Sequence, residues 1–255
     1  MMKITKYVLI DIARNRFVVF YTVFLFLVSF CMFNLEGNSE KAILSLLNIM
    51  LMVVPLVSII FTTIHFFNSY EFIELLLSQP INRKSIFLSE YLAVSSALTL
   101  AFCIGVGLPV TIFNAGSSSL VLVLCGVVLT LVFVSIAFCA AVLTRDKAKG
   151  IGMALLFWIY FTLIYDGIVL YVIYAFSDYP MEKLTLTLIS LNPVDLARII
   201  ILLKLDISAL MGYTGAFYKQ FFGSPLGMVY SFSLLLVWAV FPLLLSLRRF
   251  LRKDI

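Results

Sequence analysis

Charge is what this sequence has least of. Charged residues make up 12% of its 255 positions and hydrophobic residues 63%, against about 25% and 45–50% in an ordinary soluble domain. One water-soluble core cannot hide that much apolar surface, so lipid is expected to be the main solvent. The single histidine, His65, excludes H-E-x-x-H and every multi-histidine zinc site. The four cysteines, Cys31, Cys103, Cys125 and Cys139, lie inside apolar runs and form no C-x-x-C pair. A disulfide framework or a structural zinc site is therefore not expected, and the thiols read as small packing groups. A G-x-x-x-x-G-K-[ST] phosphate loop is missing too, so this chain does not hydrolyse ATP in that way. No serine, histidine and acid set reads as a protease, and the acids nearest His65 in a reading of the loops are Glu71 and Glu74. Gly/Ser linkers, low-complexity tracts and internal repeats are absent, which leaves residues 1–255 as one domain.

The net charge of +5 could suggest nucleic acid as a partner, but the basic residues sit at the ends of apolar runs and no nucleic-acid module is recognisable. A helix needs about 20 apolar residues to cross the hydrocarbon. Six runs qualify: about 17–33, 42–67, 87–113, 120–143, 151–176 and 226–247. The fold class expected is an all-α membrane protein of six transmembrane helices. The basic stretch Lys3–Arg16 precedes the first run and no small-residue cleavage site follows it, so the first span is expected to double as the targeting signal.

Lysine and arginine set the orientation. The N-terminus, the loops after spans two and four, and the C-terminal tail hold thirteen of them: Lys3, Lys6, Arg14, Arg16, Arg83, Lys84, Arg145, Lys147, Lys149, Arg248, Arg249, Arg252 and Lys253. The opposite segments hold five, Lys41, Lys183, Arg198, Lys204 and Lys219. Both termini are therefore expected in the cytoplasm. The outer segments at 34–41 and 114–119 are short, while 177–225 is long enough for structure of its own.

Three places carry candidate function. After span two, Tyr70 to Ser78 can form a short amphipathic helix, with Phe72, Leu75 and Leu76 on an apolar face and Glu71, Glu74 and Ser78 on the polar side. Pro80 ends it, and Arg83 and Lys84 open the next span. Such a helix, at about 70–79, suits a groove in a soluble partner; it also suits a plain interfacial hairpin. In the long outer loop, Asn192-Pro-Val-Asp-Leu-Ala-Arg reads as a helix start. Asn192 is a good N-cap, Pro193 suits the first turn, and Asp195 favours the positive helix end and pairs at i, i+3 with Arg198. Leu196, Ile199, Ile200 and Leu203 then form a stripe expected to lie on the outer membrane face or on a partner protein. The third place is Asp166, inside span five. A carboxylate at mid-membrane costs about 2.5–3.5 kcal/mol, so it should face protein or water. Two readings stay open: it lines a translocation path or tunes a conformational change, or it is neutral or hydrogen-bonded to nearby groups such as Thr162, Tyr165 or Tyr171. The nine methionines, Met50 and Met52 included, read as packing residues rather than a thioether copper site.

The order of parts resembles the type-2 ABC permeases: a basic N-terminal segment, six spans, a Glu-containing helix between spans two and three, and a long outer loop before span six. In that family E-x-L-L-S-x-P-I-x-R recurs as a coupling element; here it stands as Glu74-Leu-Leu-Leu-Ser-Gln-Pro-Ile-Asn-Arg83, one residue longer between Glu and Ser. Residues 191–202, the stretch Ser208-Ala-Leu-Met-Gly-Tyr-Thr-Gly215, and Asp166-Gly-Ile-Val-Leu are similar to the membrane subunits of nitrous oxide reductase maturation transporters. The resemblance implies a non-catalytic homodimeric permease in the bacterial cytoplasmic membrane. It implies two copies of a separate ATPase, carrying ATP and magnesium, that grip Glu71, Glu74, Ser78, Pro80 and Arg83. It also implies a periplasmic accessory protein contacting Asn192, Pro193, Asp195 and Arg198, with Asp166 on a translocation path and no cofactor on this chain. A type-2 exporter of a lipid, antibiotic or polysaccharide, or a membrane scaffold or enzyme without an ATPase, are the alternatives.

Overall fold

A computed structural model describes residues 2–113, 116–176, 182–205 and 225–252. Among these, every regular element is helical. Six helices are long and apolar enough to cross a membrane: Arg16–Leu35, Ser39–Asn68, Arg83–Ile112, Ser118–Leu143, Lys147–Ala175 and Gly227–Arg252. They coincide with the six runs read from the sequence and are called spans one to six. Four shorter helices join them: Met2–Ala13 before span one, Tyr70–Leu77 between spans two and three, and Glu182–Ser190 and Pro193–Lys204 between spans five and six. The Ser208–Gly215 stretch, Lys219 and Lys253 lie outside the described residues.

Asparagine starts these helices repeatedly. The side chains of Asn15, Asn38, Asn82 and Asn192 each accept a hydrogen bond from the backbone N–H two residues on, which satisfies one of the donors a helix start leaves open. Lipid offers no such donor or acceptor, so a span must close its own backbone bonds up to its ends.

Span four is the hub. It packs against spans two, three, five and six and against the Pro193–Lys204 helix. Its flank is lined by fully buried side chains, including Cys125, Leu129, Phe133, Ala137 and Phe138. Toward the Tyr70–Leu77 end of the bundle, called here the hairpin end, Phe138 meets Phe66, Phe87 and Tyr91 edge-on at 5.4–5.6 Å between ring centres. Edge-to-face rings add specificity where neighbouring helices gain nothing from the hydrophobic effect.

Spans three and five are interrupted by single π turns, Cys103–Gly107 and Tyr160–Ile164. In span three the turn precedes Pro109, which has no N–H to give the ladder. Span one crosses here at close range. A Cβ on Gly105 would lie 2.6 Å from the Leu25 Cβ and 3.1 Å from the Thr22 carbonyl, so only glycine fits.

Candidate functional site

The connecting helix at the hairpin end is positioned from below. Ile73 and Leu76 are buried, Phe72 stacks on Tyr7 of the N-terminal helix, and the helix packs on spans two and three. Its other side carries Glu71, Glu74, Leu75 and Ser78, all exposed, at i, i+3, i+4 and i+7. This corrects the expected apolar face: Leu75 is 66% exposed and belongs with the glutamates, while Ile73 takes its place inside. Eight residues are too few for periodicity to separate two adjacent stripes, and packing on span three decides between them. Pro80 and Arg83 are exposed just beyond the helix. Its base is tied down twice, by Lys147 Nζ donating to Asn68 Oδ1 at 2.7 Å and by the Ser69 hydroxyl, 3.4 Å from His65 Nε2.

His65 itself faces span three, where its Nε2 lies 3.4 Å from Glu90 Oε2. The partner is therefore neither Glu71 nor Glu74, both of which point outward. Glu90 is 2% exposed, and its second oxygen has no hydrogen-bond partner among the described residues. Glu90 is absent from the expected site residues, yet the rule that singles out Asp166 applies to it equally: a carboxylate inside an apolar run needs a partner.

At the far end, the Pro193–Lys204 helix does not lie on the bundle. It is wedged into it, against span four, span six and the π turn of span five. Leu196, Ile199, Ile200 and Leu203 are buried as a stripe should be, but so are Val194, Ala197 and Ile201. The expectation that the stripe covers the membrane face or a partner is replaced by burial within this chain. A sequence stripe records that a face is covered and not by what.

Asn192 holds the junction. Its Oδ1 caps the helix, while its Nδ2 donates to the Phe161 carbonyl inside the π turn and to Asp195 Oδ2, both at 2.9 Å. Asp195 also accepts from Arg198 at 2.9 Å, and the same guanidinium nitrogen reaches Asp166 Oδ2 at 3.1 Å. The chain Phe161–Asn192–Asp195–Arg198–Asp166 thus clamps the Pro193–Lys204 helix onto span five. Tyr165 adds a bond from its hydroxyl to the Leu188 carbonyl. Asp166 is bound by Arg198, 32 residues away, and not by Thr162, Tyr165 or Tyr171. Asn192, Pro193 and Asp195 are buried, and Asp166 and Arg198 are each about one-third exposed. These two line a cleft of about 290 Å³, with Val169, Leu170, Ile189 and Ile199 as apolar walls.

Burial pushes the Asp195 carboxyl up to about 7, against the pull of Arg198 and with the Asp166 charge adding to the rise. An unfolded aspartate titrates near 3.9. Between about pH 4 and about pH 7 the folded chain therefore holds this proton more tightly, so stability falls as pH rises through that window. The thermal midpoint of the purified chain is expected to drop between about pH 4 and about pH 7. The drop should be smaller in Asp195→Asn, which keeps the acceptor and loses the titration; an equal drop in both proteins would refute this source.

A family model described as ABC-2 family transporter protein matches residues 3–255. The chain belongs to this family. It is a multi-pass membrane protein of the ABC-2 permease type. The probable ABC transporter permease protein NosY of Pseudomonas aeruginosa is 29% identical to it over 154 residues, which cover 54% of this chain and 54% of that protein. The chain thus spans about half the length of that curated relative.

Proposed function

We propose that this ABC-2 permease couples ATP hydrolysis by a separate ATPase to the copper-site maturation of nitrous oxide reductase. The observation that carries the coupling half is the exposed Glu71–Glu74–Leu75–Ser78 stripe on a helix anchored to spans two and three. Two ATPase subunits, with their own ATP and magnesium, would grip that stripe together with Pro80 and Arg83. ATP binding moves the spans only if it favours one arrangement of the complex over another. The maturation half rests on the similarity of residues 191–215 and 166–170 to subunits of such transporters, and on the NosY relative.

In this reading both termini and the hairpin end face the cytoplasm, with the positively charged loops. The membrane is the bacterial cytoplasmic one. The permease works as a homodimer. Span five is the least enclosed of the six, with 17% of its apolar window buried, which leaves its outward face for lipid or a second copy. A periplasmic accessory protein would meet the outer loop, reaching Arg198 directly, while Asn192, Pro193 and Asp195 hold the helix that presents it. Asp166, in the cleft with Arg198, would lie on the translocation or conformational path in this reading.

The test uses cells that make the reductase. Deleting the gene for this chain should yield reductase lacking its full copper content, restored by the wild-type chain. Asp166→Asn should insert and assemble normally yet restore clearly less copper than the wild-type chain, since the amide keeps the shape beside Arg198 and loses the charge that holds it. Full copper content in the deletion strain would sink the maturation role; full rescue by Asp166→Asn would return that carboxylate to a structural part.

A further inference from the structure

Three guanidinium groups at the hairpin end have no part in the function above. Arg145 leaves the end of span four, and Arg249 and Arg252 lie within one turn of each other at the end of span six. They border two adjoining hollows. One, of about 520 Å³, sets Arg145 and Arg252 against Phe66, Phe67, Tyr70 and Thr144. The other, of about 420 Å³, has all three arginines with Val142 and Leu143. All three are exposed, and among the described residues none is in an ion pair; the neighbouring Asp146 is held by Lys149 at 3.2 Å. Like charges gathered around one space repel. A phosphate between them reverses the sign of that interaction, and the guanidinium fork matches phosphate in bidentate geometry.

The surroundings favour a lipid over a soluble anion. On span six, Phe241, Leu245, Arg248 and Arg252 share one face at i, i+4, i+7 and i+11. Phe241 is 61% and Leu245 36% exposed. Across the hollow, Leu143 is 45% exposed at the end of span four. An apolar track thus runs along the helix and ends in cations, which is the profile of an acyl chain ending in its phosphate. An acidic protein loop would engage the arginines and leave the track without a role.

We infer that the hollows bounded by Arg145, Arg249 and Arg252 bind the phosphate headgroup of an anionic phospholipid, with its acyl chains along span six. Basic pockets between spans are suited to such headgroups. Tyr70, the first residue of the connecting helix, walls the larger hollow, so the bound lipid touches the base of that helix.

The test is a titration of the full chain in detergent with fluorescent short-chain phosphatidylglycerol, with phosphatidylcholine of equal chain length and inorganic phosphate as competitors. Phosphatidylglycerol should bind, phosphatidylcholine should compete at least about tenfold more weakly, and millimolar phosphate should not displace the lipid. The combined R145Q/R249Q/R252Q variant should lose on the order of a hundredfold in affinity, and R252Q alone about fivefold, at roughly one step of surface attraction per arginine. Arg14→Gln with Arg16→Gln, also exposed but away from the hollows, should bind as wild type. R252Q, a change at an exposed position, decides the matter if the triple variant does not fold. Equal binding of the two lipids, or unchanged affinity in the arginine variants, would overturn the site. Displacement by phosphate at equal affinity would make it a free-anion site. Loss of ATPase binding with unchanged lipid affinity would make it a protein dock.

Discussion

Reversing the charge at Glu74 is expected to abolish recovery of the ATPase with this chain. Glu74 stands in the middle of the exposed stripe, one turn from both Glu71 and Ser78, while Ile73 and Leu76 hold the helix from below. Glu74→Arg therefore leaves the buried face untouched, and membrane insertion and the thermal midpoint should match wild type. Removing one partner of a desolvated interfacial charge pair costs about 2–5 kcal/mol, and bringing a like charge adds to that. The affinity should fall by at least about thirtyfold, enough to lose a detergent-purified complex. Glu74→Gln, which keeps shape and removes only charge, should fall between the two. Normal co-purification of Glu74→Arg would show that the ATPase does not dock on this stripe.

The second large effect concerns stability. His65→Leu is expected to destabilise the chain by about 3–5 kcal/mol, because it leaves the buried Glu90 carboxyl group without its one close partner among the described residues. Replacing both members by leucine should recover most of that loss, since a buried pair exchanged for apolar groups of similar volume is often neutral or better. Thermal unfolding in detergent of the two single variants and the double variant measures the coupling directly. Additive losses in the double variant would contradict the pairing. His65 also sits just over one turn before the connecting helix. The variants that fold should therefore bind ATPase normally but transmit its cycle poorly, since the same turn of span two leads through Ser69 into Tyr70.

What the sequence makes legible follows from the range of each signal. The six spans need only a count of apolar residues against bilayer thickness, and their helices appear within a few residues of the expected ends. The Asn192-Pro193 start needs only neighbouring residues, and its cap is present. Signals that depend on a distant neighbour were not legible. Asp166 announces a need for a partner but not that Arg198 supplies it. His65 and Glu90 are 25 positions apart, and nothing local links them; their meeting is set by how span two packs on span three. The stripe on Pro193–Lys204 marks a covered face, yet cannot tell lipid from the chain's own spans. Leu75 shows the same limit on a smaller scale, since two stripes one residue apart on an eight-residue helix differ only in what they touch.

The central claim is that this permease works by docking an ATPase on its connecting helix. It is tested most directly by extracting the tagged chain from its native membrane, with and without a non-hydrolysable ATP analogue, and identifying what co-purifies. The account predicts an ATPase subunit with a phosphate-binding loop, recovered with the wild-type chain and lost with Glu74→Arg. Recovery of no ATPase in either nucleotide state would contradict it.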